Sequence, residues 1–210
     1  MKNTMSNELG KRADNMKYTE QLLKNPEYIK LQNEILVWER ERVYCRHELS
    51  HALDVCRMAW IMYLEMYVGL GEDDTEVCPK PENQKRSGEL EEIKDRIYVI
   101  GLLHDIGRVR QYQTGEHHAV AGKVIAEQIL TEISYPEKWM KEDLPIIAKH
   151  TGRAYNSRTS EVETEKNRSL TGQMEYCICR ADHLSRNCFC CEAAETCKWK
   201  EEERNRTILY

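Results

Sequence analysis

Hydrophobic side chains recur at three- and four-residue intervals over most of the chain. One such stripe starts after Asn25-Pro26, a pair typical of a helix start. Its members are Tyr28, Leu31, Ile35 and Trp38. Further stripes of the same period begin near Leu49, Leu90, His118, Trp139 and Met174. No alternating run of polar and apolar residues between turn signals indicates a strand. The pattern predicts an all-α fold.

Polar stretches divide these stripes. Residues 69–88 and residues 151–172 have few large apolar side chains and are predicted to be connections. The first 24 residues are also polar and are predicted to form an N-terminal arm. Because 210 residues suit one domain, we assign residues 25–190 to a single helical domain. Residues 191–210 are then a cysteine-containing C-terminal extension of that domain.

Composition excludes some classes of function. Lys and Arg number 31 against 36 acidic residues, a net charge of −5, so we expect no nucleic-acid polymer as a partner. No apolar run approaches the ~18 residues of a membrane span, and no apolar leader follows Met1. We therefore expect a cytoplasmic protein that does not bind a membrane. The oligomeric state is open, with a homodimer as one option.

Histidines and aspartates supply the candidate chemistry. Divalent cations are bound in helical bundles by neutral imidazoles and carboxylates that come from several helices. The candidates are His51, His104, Asp105, His118, His150 and Asp182. His47 stands four residues before His51 and is expected on the same helix face. There it would support a ligand, face the substrate or be merely structural, whereas His183 is expected to be an ordinary helix-face residue.

These features follow one another in an order that resembles the HD superfamily of metal-dependent phosphohydrolases. The motif that carries most of the likeness is Leu102-Leu103-His104-Asp105-Ile106-Gly107-Arg108. The other matching segments are residues 51–57, 118–122, 147–150 and 180–186. Together they cover about residues 45–190 of this chain.

The resemblance implies an all-helical bundle around a metal site. His51, His104, Asp105 and Asp182 would hold a divalent transition metal (Fe, Mn, Co, Ni or Zn), or else Mg. In dinuclear members a second ion lies at the places of His118 and His150, and the carboxylate at the place of Asp105 bridges both ions. One or two ions are therefore compatible with this sequence, and the two additional histidines are otherwise candidates for substrate contact.

The resemblance also implies a reaction. We expect hydrolysis of a phosphomonoester or phosphoanhydride of a small molecule, above all a nucleotide, through a metal-activated water. Asp105 and Arg108 are the expected catalytic residues, with Asp105 or a neighbouring histidine as proton acceptor. The candidates for phosphate binding are Arg108, Lys149, Arg153 and Arg186. The alternative is a non-catalytic module that binds a metal or nucleotide, or senses redox state through its cysteine-rich tail.

Two departures from the superfamily pattern restrict which members of the superfamily this chain resembles. Arg108 stands where many relatives have a lysine, and arginine clamps phosphate but does not act as an acid near neutral pH. The Gly-Tyr-Pro signature of cyclic-dinucleotide phosphodiesterases is missing. The chain is most similar to small uncharacterised bacterial HD proteins with a cysteine-rich tail.

Nine cysteines are present, and six of them fall between positions 177 and 197. Cys188, Cys191 and Cys197, with one of Cys177, Cys179 or Cys190, are compatible with a tetrahedral zinc site. Redox or disulfide chemistry and inert thiols are the alternatives that the sequence leaves open.

Overall fold

The computed structural model describes residues 16–69, 83–150 and 169–208, and these ranges contain eight α-helices and no strand. The helices are α1 (Lys17–Lys24), α2 (Pro26–Trp38), α3 (Leu49–Gly69), α4 (Asn83–Leu103), α5 (Arg108–Thr114), α6 (His118–Glu132), α7 (Glu137–Lys149) and α8 (Leu170–Leu184). Three 3₁₀ turns follow α8, at Cys188–Cys190, Ala194–Thr196 and Glu201–Glu203. The all-α prediction is confirmed.

The helix start predicted at Asn25-Pro26 is present. The Asn25 side chain accepts a hydrogen bond from the Tyr28 N–H at 2.9 Å, and Pro26 occupies the first turn, where its missing N–H leaves no helical bond unmade. The apolar stripe of α2 is buried except at its last member, Trp38, which is 54% exposed. The other three members hold α2 against the core.

Helices α3, α4 and α8 form the centre of the bundle. Helix α3 packs against both α4 and α8, and α6 packs against α5 and α7. Fully buried side chains such as Val55, Ile97, Ile100, Ile147 and Ile178 fill the space between these helices. This packing brings together the first turns of α3 and α6, the last turn of α8 and the ends of α4 and α7.

The N-terminal residues differ from the predicted arm. Residues 17–24 form α1, which packs on α4. The Asp95 carboxylate accepts hydrogen bonds from the Tyr18 and Thr19 N–H groups at 2.9 and 2.8 Å, and Leu22 is fully buried. The polar composition conceals this helix because Leu22 is its one buried apolar residue and its first N–H groups are capped by a carboxylate on another helix. Residues 1–15 lie outside the described ranges.

Both predicted connections end in a helix. Helix α4 begins at Asn83, within the predicted connection 69–88, and α8 begins at Leu170, within the predicted connection 151–172. Residues 70–82 and 151–168 lie outside the described ranges. Within the described ranges, no helix has the length and hydropathy that crossing a membrane requires.

Candidate metal centre

Two groups of metal-ligating side chains meet where the helix ends converge. One group is His51, His104, Asp105 and Asp182, and the other is Asp105, His118 and His150. In each group, one ligand atom per residue can be chosen so that all of these atoms lie within 4.8 Å of one another. The structure therefore brings together all six residues that the sequence singled out as metal ligands.

Asp105 belongs to both groups and uses a different oxygen for each. Its Oδ2 lies 3.1 Å from His104 Nε2 and 3.6 Å from His51 Nε2. Its Oδ1 lies 3.4 Å from His118 Nε2 and 3.6 Å from His150 Nε2. A carboxylate placed in this way can bridge two cations, one on each side.

Backbone carbonyls orient two of the imidazoles. His104 Nδ1 lies 2.6 Å from the Gly101 carbonyl oxygen, and His150 Nδ1 lies 2.7 Å from that of Ile147. Because a carbonyl oxygen only accepts, each Nδ1 carries the proton and each Nε2 presents a lone pair in the neutral ring. Both rings are thus held in the tautomer that a metal requires.

The Nε2 atoms themselves have no hydrogen-bond partner. Those of His51, His104, His118 and His150 are all buried and unpaired. Leaving a buried polar atom unpaired costs about 1–3 kcal/mol, so four such atoms around one carboxylate need an explanation. Divalent cations supply it, because each imidazole lone pair then has a ligand bond. The residues present therefore fit a metal site.

Electrostatics in the centre favour positive charge. Burial acts to lower the pKa of His104, but the Asp105 and Asp182 carboxylates outweigh it and raise that pKa to about 10. Burial likewise acts to raise the pKa of Asp105, but His104, His47 and Arg108 hold it well below its usual range. A cation bound between these groups would be stabilised by the two ionised carboxylates, Asp105 and Asp182. Burial lowers the pKa of His118 to about 3, so this ring is neutral and ready to bind a metal.

A hollow of about 580 Å³ opens onto the metal centre. His118, His150 and Asp182 from the two ligand groups line it. Four of the other lining side chains are basic, namely Arg42, Arg108, Arg186 and Lys198, and Asp182 is the only carboxylate among the described lining residues. We call this space the substrate hollow.

The family model of the HD domain matches residues 49–187. The chain belongs to the HD-domain family. An uncharacterized protein of Clostridium beijerinckii is 30% identical over 189 residues, which are 90% of this chain and 96% of the relative. No solved structure matches the chain. HD domains form a superfamily of metal-dependent phosphohydrolases, and both ligand groups lie within the matched segment.

The spacing of four residues predicted that His47 lies on the same helix as His51. This prediction is wrong. Helix α3 begins at Leu49, and His47 lies in the segment before it. The Glu39 carboxylate accepts hydrogen bonds from the His47 N–H at 2.6 Å and from its Nδ1 at 2.5 Å, and the Tyr112 hydroxyl donates to the same carboxylate. These contacts leave Nε2 facing Asp105, whose Oδ2 is 4.0 Å away.

The predicted phosphate-binding residues of the HD domain fall in different places. Arg108 and Arg186 line the substrate hollow. Arg108 donates from Nε to Asp105 Oδ1 at 2.9 Å, and the buried Arg186 leaves its Nη1 without a partner. Lys149 is exposed at the end of α7 and does not line the hollow, so the structure does not support its predicted contact. Arg153 lies outside the described residues.

Other residues of the hollow were missed from the sequence. Arg42 and Tyr44 come from the segment before α3, and Lys198 and Trp199 come from the tail. The short run Cys45-Arg46-His47 was a signal for the first pair, since it lies directly before the first matching motif. His183 also lines the hollow and accepts a hydrogen bond from Arg186, so it is more than an ordinary helix-face residue.

Proposed function

We propose that this HD domain hydrolyses a phosphomonoester or phosphoanhydride of a small molecule, most suitably a nucleotide, with a water activated at the metal centre. The observation that carries the proposal is the set of four buried, unpaired imidazole nitrogens around Asp105, because two of the histidines, His118 and His150, line a hollow that also has four basic side chains. The first feature fits cations and the second fits phosphate. Together they support phosphoryl chemistry.

His51, His104, Asp105 and Asp182 would hold one ion, and Asp105, His118 and His150 a second. Four imidazoles and two carboxylates favour a transition metal over Mg²⁺ or Ca²⁺. A bound divalent ion lowers the pKa of water towards ~7 and screens the charge on phosphoryl oxygens.

Arg186 is the best-supported phosphate ligand. Its Nε donates to the His183 carbonyl oxygen at 2.9 Å, and its guanidinium lies 4.0 Å from the centre of the Trp199 ring. These contacts fix the side chain and leave the buried Nη1 free to bind an anion. Arg108 lies between Asp105 and the Gln111 side chain and is the second candidate.

The volume and the lining residues of the substrate hollow support a nucleotide as the substrate. Its volume of about 580 Å³ lies within the usual range for small-molecule sites, roughly 300–1,000 Å³. Tyr44 and Trp199 line it together with the basic side chains, so an aromatic base and a phosphate can be bound by the same space. The single carboxylate at the wall limits repulsion of the anion.

His47 is the residue best placed to move a proton. Asp105 does not readily accept a proton, because His104, His47 and Arg108 outweigh burial and hold its pKa well below the usual range, and because Arg108 Nε donates to its Oδ1. The Glu39 carboxylate fixes His47 through Nδ1, which leaves Nε2 at the edge of the hollow. This is how carboxylate–histidine pairs are arranged in general acid–base catalysis.

Phosphate release from a panel of nucleoside mono-, di- and triphosphates and sugar phosphates, with Mn²⁺, Fe²⁺ or Co²⁺ added, tests the proposal. We expect turnover of at least one nucleotide and a loss of at least about 100-fold in Asp105→Asn. The exposed Glu137→Gln is the control and should keep full activity. Circular dichroism checks that each variant is folded. Metal binding without turnover of any phosphoester would instead favour the non-catalytic module.

His47→Gln separates proton transfer from binding. We expect kcat to fall by about 10²–10⁴-fold with KM close to that of the unaltered enzyme. Glu39→Gln should lower kcat less, since it alters only the orientation of the imidazole. A KM that rises in proportion while kcat stays constant would assign His47 to substrate binding.

A further inference from the structure

A second hollow lies beside the first and is rich in thiols. It has a volume of about 330 Å³ and is bounded by the segment before α3 and by the tail after α8. Five of its lining residues are cysteines, Cys45, Cys188, Cys190, Cys191 and Cys197. We call this space the thiol hollow. Cys45 is separated from the tail cysteines by more than 140 residues, so only the fold brings it there.

Short turns place the tail cysteines along one wall of the hollow. The Cys191 N–H donates to the Cys188 carbonyl oxygen at 3.3 Å, which closes the Cys-x-x-Cys segment into a 3₁₀ turn. The next turns are closed by the Ala194 N–H on the Cys191 carbonyl oxygen at 3.2 Å and by the Cys197 N–H on that of Ala194 at 3.3 Å. A compact Cys-x-x-Cys turn is a common half of a zinc site.

The remaining cysteines of the described ranges are engaged elsewhere. Cys190 is exposed, and its Sγ contacts the Asn187 carbonyl oxygen at 3.6 Å. Cys177 is buried in α8 with its Sγ 3.7 Å from Met66 Sδ, and Cys179 and Cys56 are also buried. Every described cysteine is a free thiol. The partly buried thiols that remain are Cys45, Cys188, Cys191 and Cys197.

We propose that Cys45, Cys188, Cys191 and Cys197 bind one Zn²⁺ ion as a four-thiolate site, distinct from the metal centre of the HD domain. Cys45 thus takes the fourth place that the sequence left open between Cys177, Cys179 and Cys190. A tetrahedral site with Zn–S bonds of about 2.3 Å needs sulfur atoms about 3.8 Å apart. The described cysteines form no group of three donor atoms within 4.8 Å, so the proposal requires these side chains to move closer together when the ion binds.

The tail needs such a link because it has almost no core of its own. Between residues 187 and 208 no apolar side chain is buried, and Asn205 is the one buried residue. The Asn205 amide donates to the carbonyl oxygens of His183, Leu184 and Arg186 at 2.9, 3.1 and 2.8 Å. Small segments without a hydrophobic core are commonly held by a metal.

Charge balance is also met. Zn²⁺ displaces the four thiol protons to solvent, and the resulting site carries a charge of about −2. Arg42 donates to the Cys45 carbonyl oxygen at 2.7 Å, and Arg204 donates to that of Cys197 at 3.2 Å. Arg186 also lines the thiol hollow. These cations lie on the two chain segments that the metal joins.

The zinc site would fix one wall of the substrate hollow. Tyr44 and Cys45 on one segment and Cys197, Lys198 and Trp199 on the other line that hollow too. The Tyr44 hydroxyl donates to the Thr196 carbonyl oxygen at 3.1 Å, the direct link between the segments. The metal is therefore placed to hold the tail residues beside the catalytic centre.

Reconstitution of the reduced, full-length chain with Co²⁺ in place of Zn²⁺ tests the proposal. Cobalt bound by thiolates gives an intense sulfur-to-metal charge-transfer absorption, and ions at imidazoles and carboxylates do not contribute to it. We expect this band, and we expect added Zn²⁺ to abolish it. Because the band reports sulfur ligands alone, it is independent of whether the chain hydrolyses phosphoesters.

Cys45→Ser is the decisive variant and Cys190→Ser is its matched control. We expect Cys45→Ser to weaken Zn²⁺ binding at this site by at least about tenfold and to reduce the cobalt band, and Cys190→Ser to leave both unchanged. The proposal is overturned if the unaltered chain gives no thiolate band, if it contains iron and acid-labile sulfide instead, or if Cys45→Ser behaves as Cys190→Ser does. The absence of the band in the unaltered chain overturns the proposal even if a variant does not fold.

Discussion

Gly107 lies against the carbonyl oxygen of His118, so closely that a Cβ added to Gly107 would be 2.0 Å from that oxygen. It would also lie 2.4 Å from the Gly122 N. Through this contact, the turn that contains Asp105 packs directly against the first turn of α6, where His118 lies. A glycine at position 107 allows Asp105 and His118, which belong to the same ligand group, to lie this close together.

Gly107→Ala should therefore destabilise the protein by about 1–3 kcal/mol, because backbone atoms rather than a flexible side chain oppose the new methyl group. It should also weaken metal binding that depends on His118. Urea unfolding measures the first effect. Gly88→Ala is the control, since nothing lies within 4 Å of a Cβ there and helix propensity favours alanine. Equal stability of the two variants would contradict the prediction.

Asp105 should be required for both ions and His118 for one. Mn²⁺ is the suitable probe because thiolates do not compete strongly for it. By equilibrium dialysis, we expect His118→Ala and His150→Ala each to lose one Mn²⁺ and Asp105→Ala to lose both. His183→Ala, in the same hollow but in neither ligand group, should bind as the unaltered chain does. Retention of both ions by Asp105→Ala would show that its carboxylate is not shared.

Glu39 should make stability depend on pH. Burial acts to raise its pKa, but hydrogen bonds from His47 and Tyr112 and the charge of His47 outweigh burial and hold it below the usual 4.5. The folded state thus binds a proton less readily than the unfolded state. The stability that Glu39 supplies is complete above its ordinary pKa and is lost as pH falls through its folded pKa.

Glu39→Gln tests this dependence. At pH 7 we expect the variant to be less stable by about 1.5–3 kcal/mol, the range for a buried hydrogen bond to a charged group. The difference from the unaltered chain should stay constant down to about pH 5 and shrink as pH falls below 4.5, the ordinary pKa of a glutamate. Urea unfolding over this pH range provides the measurement, and a difference that stays constant would refute the assignment.

Among the charged residues outside the metal centre, Asp143 should be the one whose substitution lowers the free energy of unfolding most. It is fully buried and accepts hydrogen bonds from Arg96 Nη2 at 2.6 Å and from the Tyr135 hydroxyl at 2.7 Å. Asp143→Ala leaves Arg96 buried without its main partner, which should cost about 3–5 kcal/mol. Glu137→Ala, which breaks an exposed pair with Lys141, should leave the unfolding midpoint unchanged. Replacing Arg96 by Met in the Asp143→Ala background should recover part of the loss.

The sequence predicted the helices other than α1 and α5, and its resemblance to the HD superfamily implied the six residues of the metal centre. Both depend on local signals. A helix is recognised from apolar residues at spacings of three and four. In a motif such as His104-Asp105, the two metal ligands are neighbours in the chain. Asn25-Pro26 likewise marked the start of α2 because capping involves only the next few residues.

The tertiary structure decided everything that depends on long-range approach. It placed Cys45 and the tail cysteines around one hollow and Arg42 and Lys198 around another, although no spacing in the chain relates them. It also moved His47 off the helix of His51 and left Lys149 facing solvent. The physical reason is that residue spacing fixes which side chains share one helix face, whereas the packing of separate segments fixes which faces meet around a site.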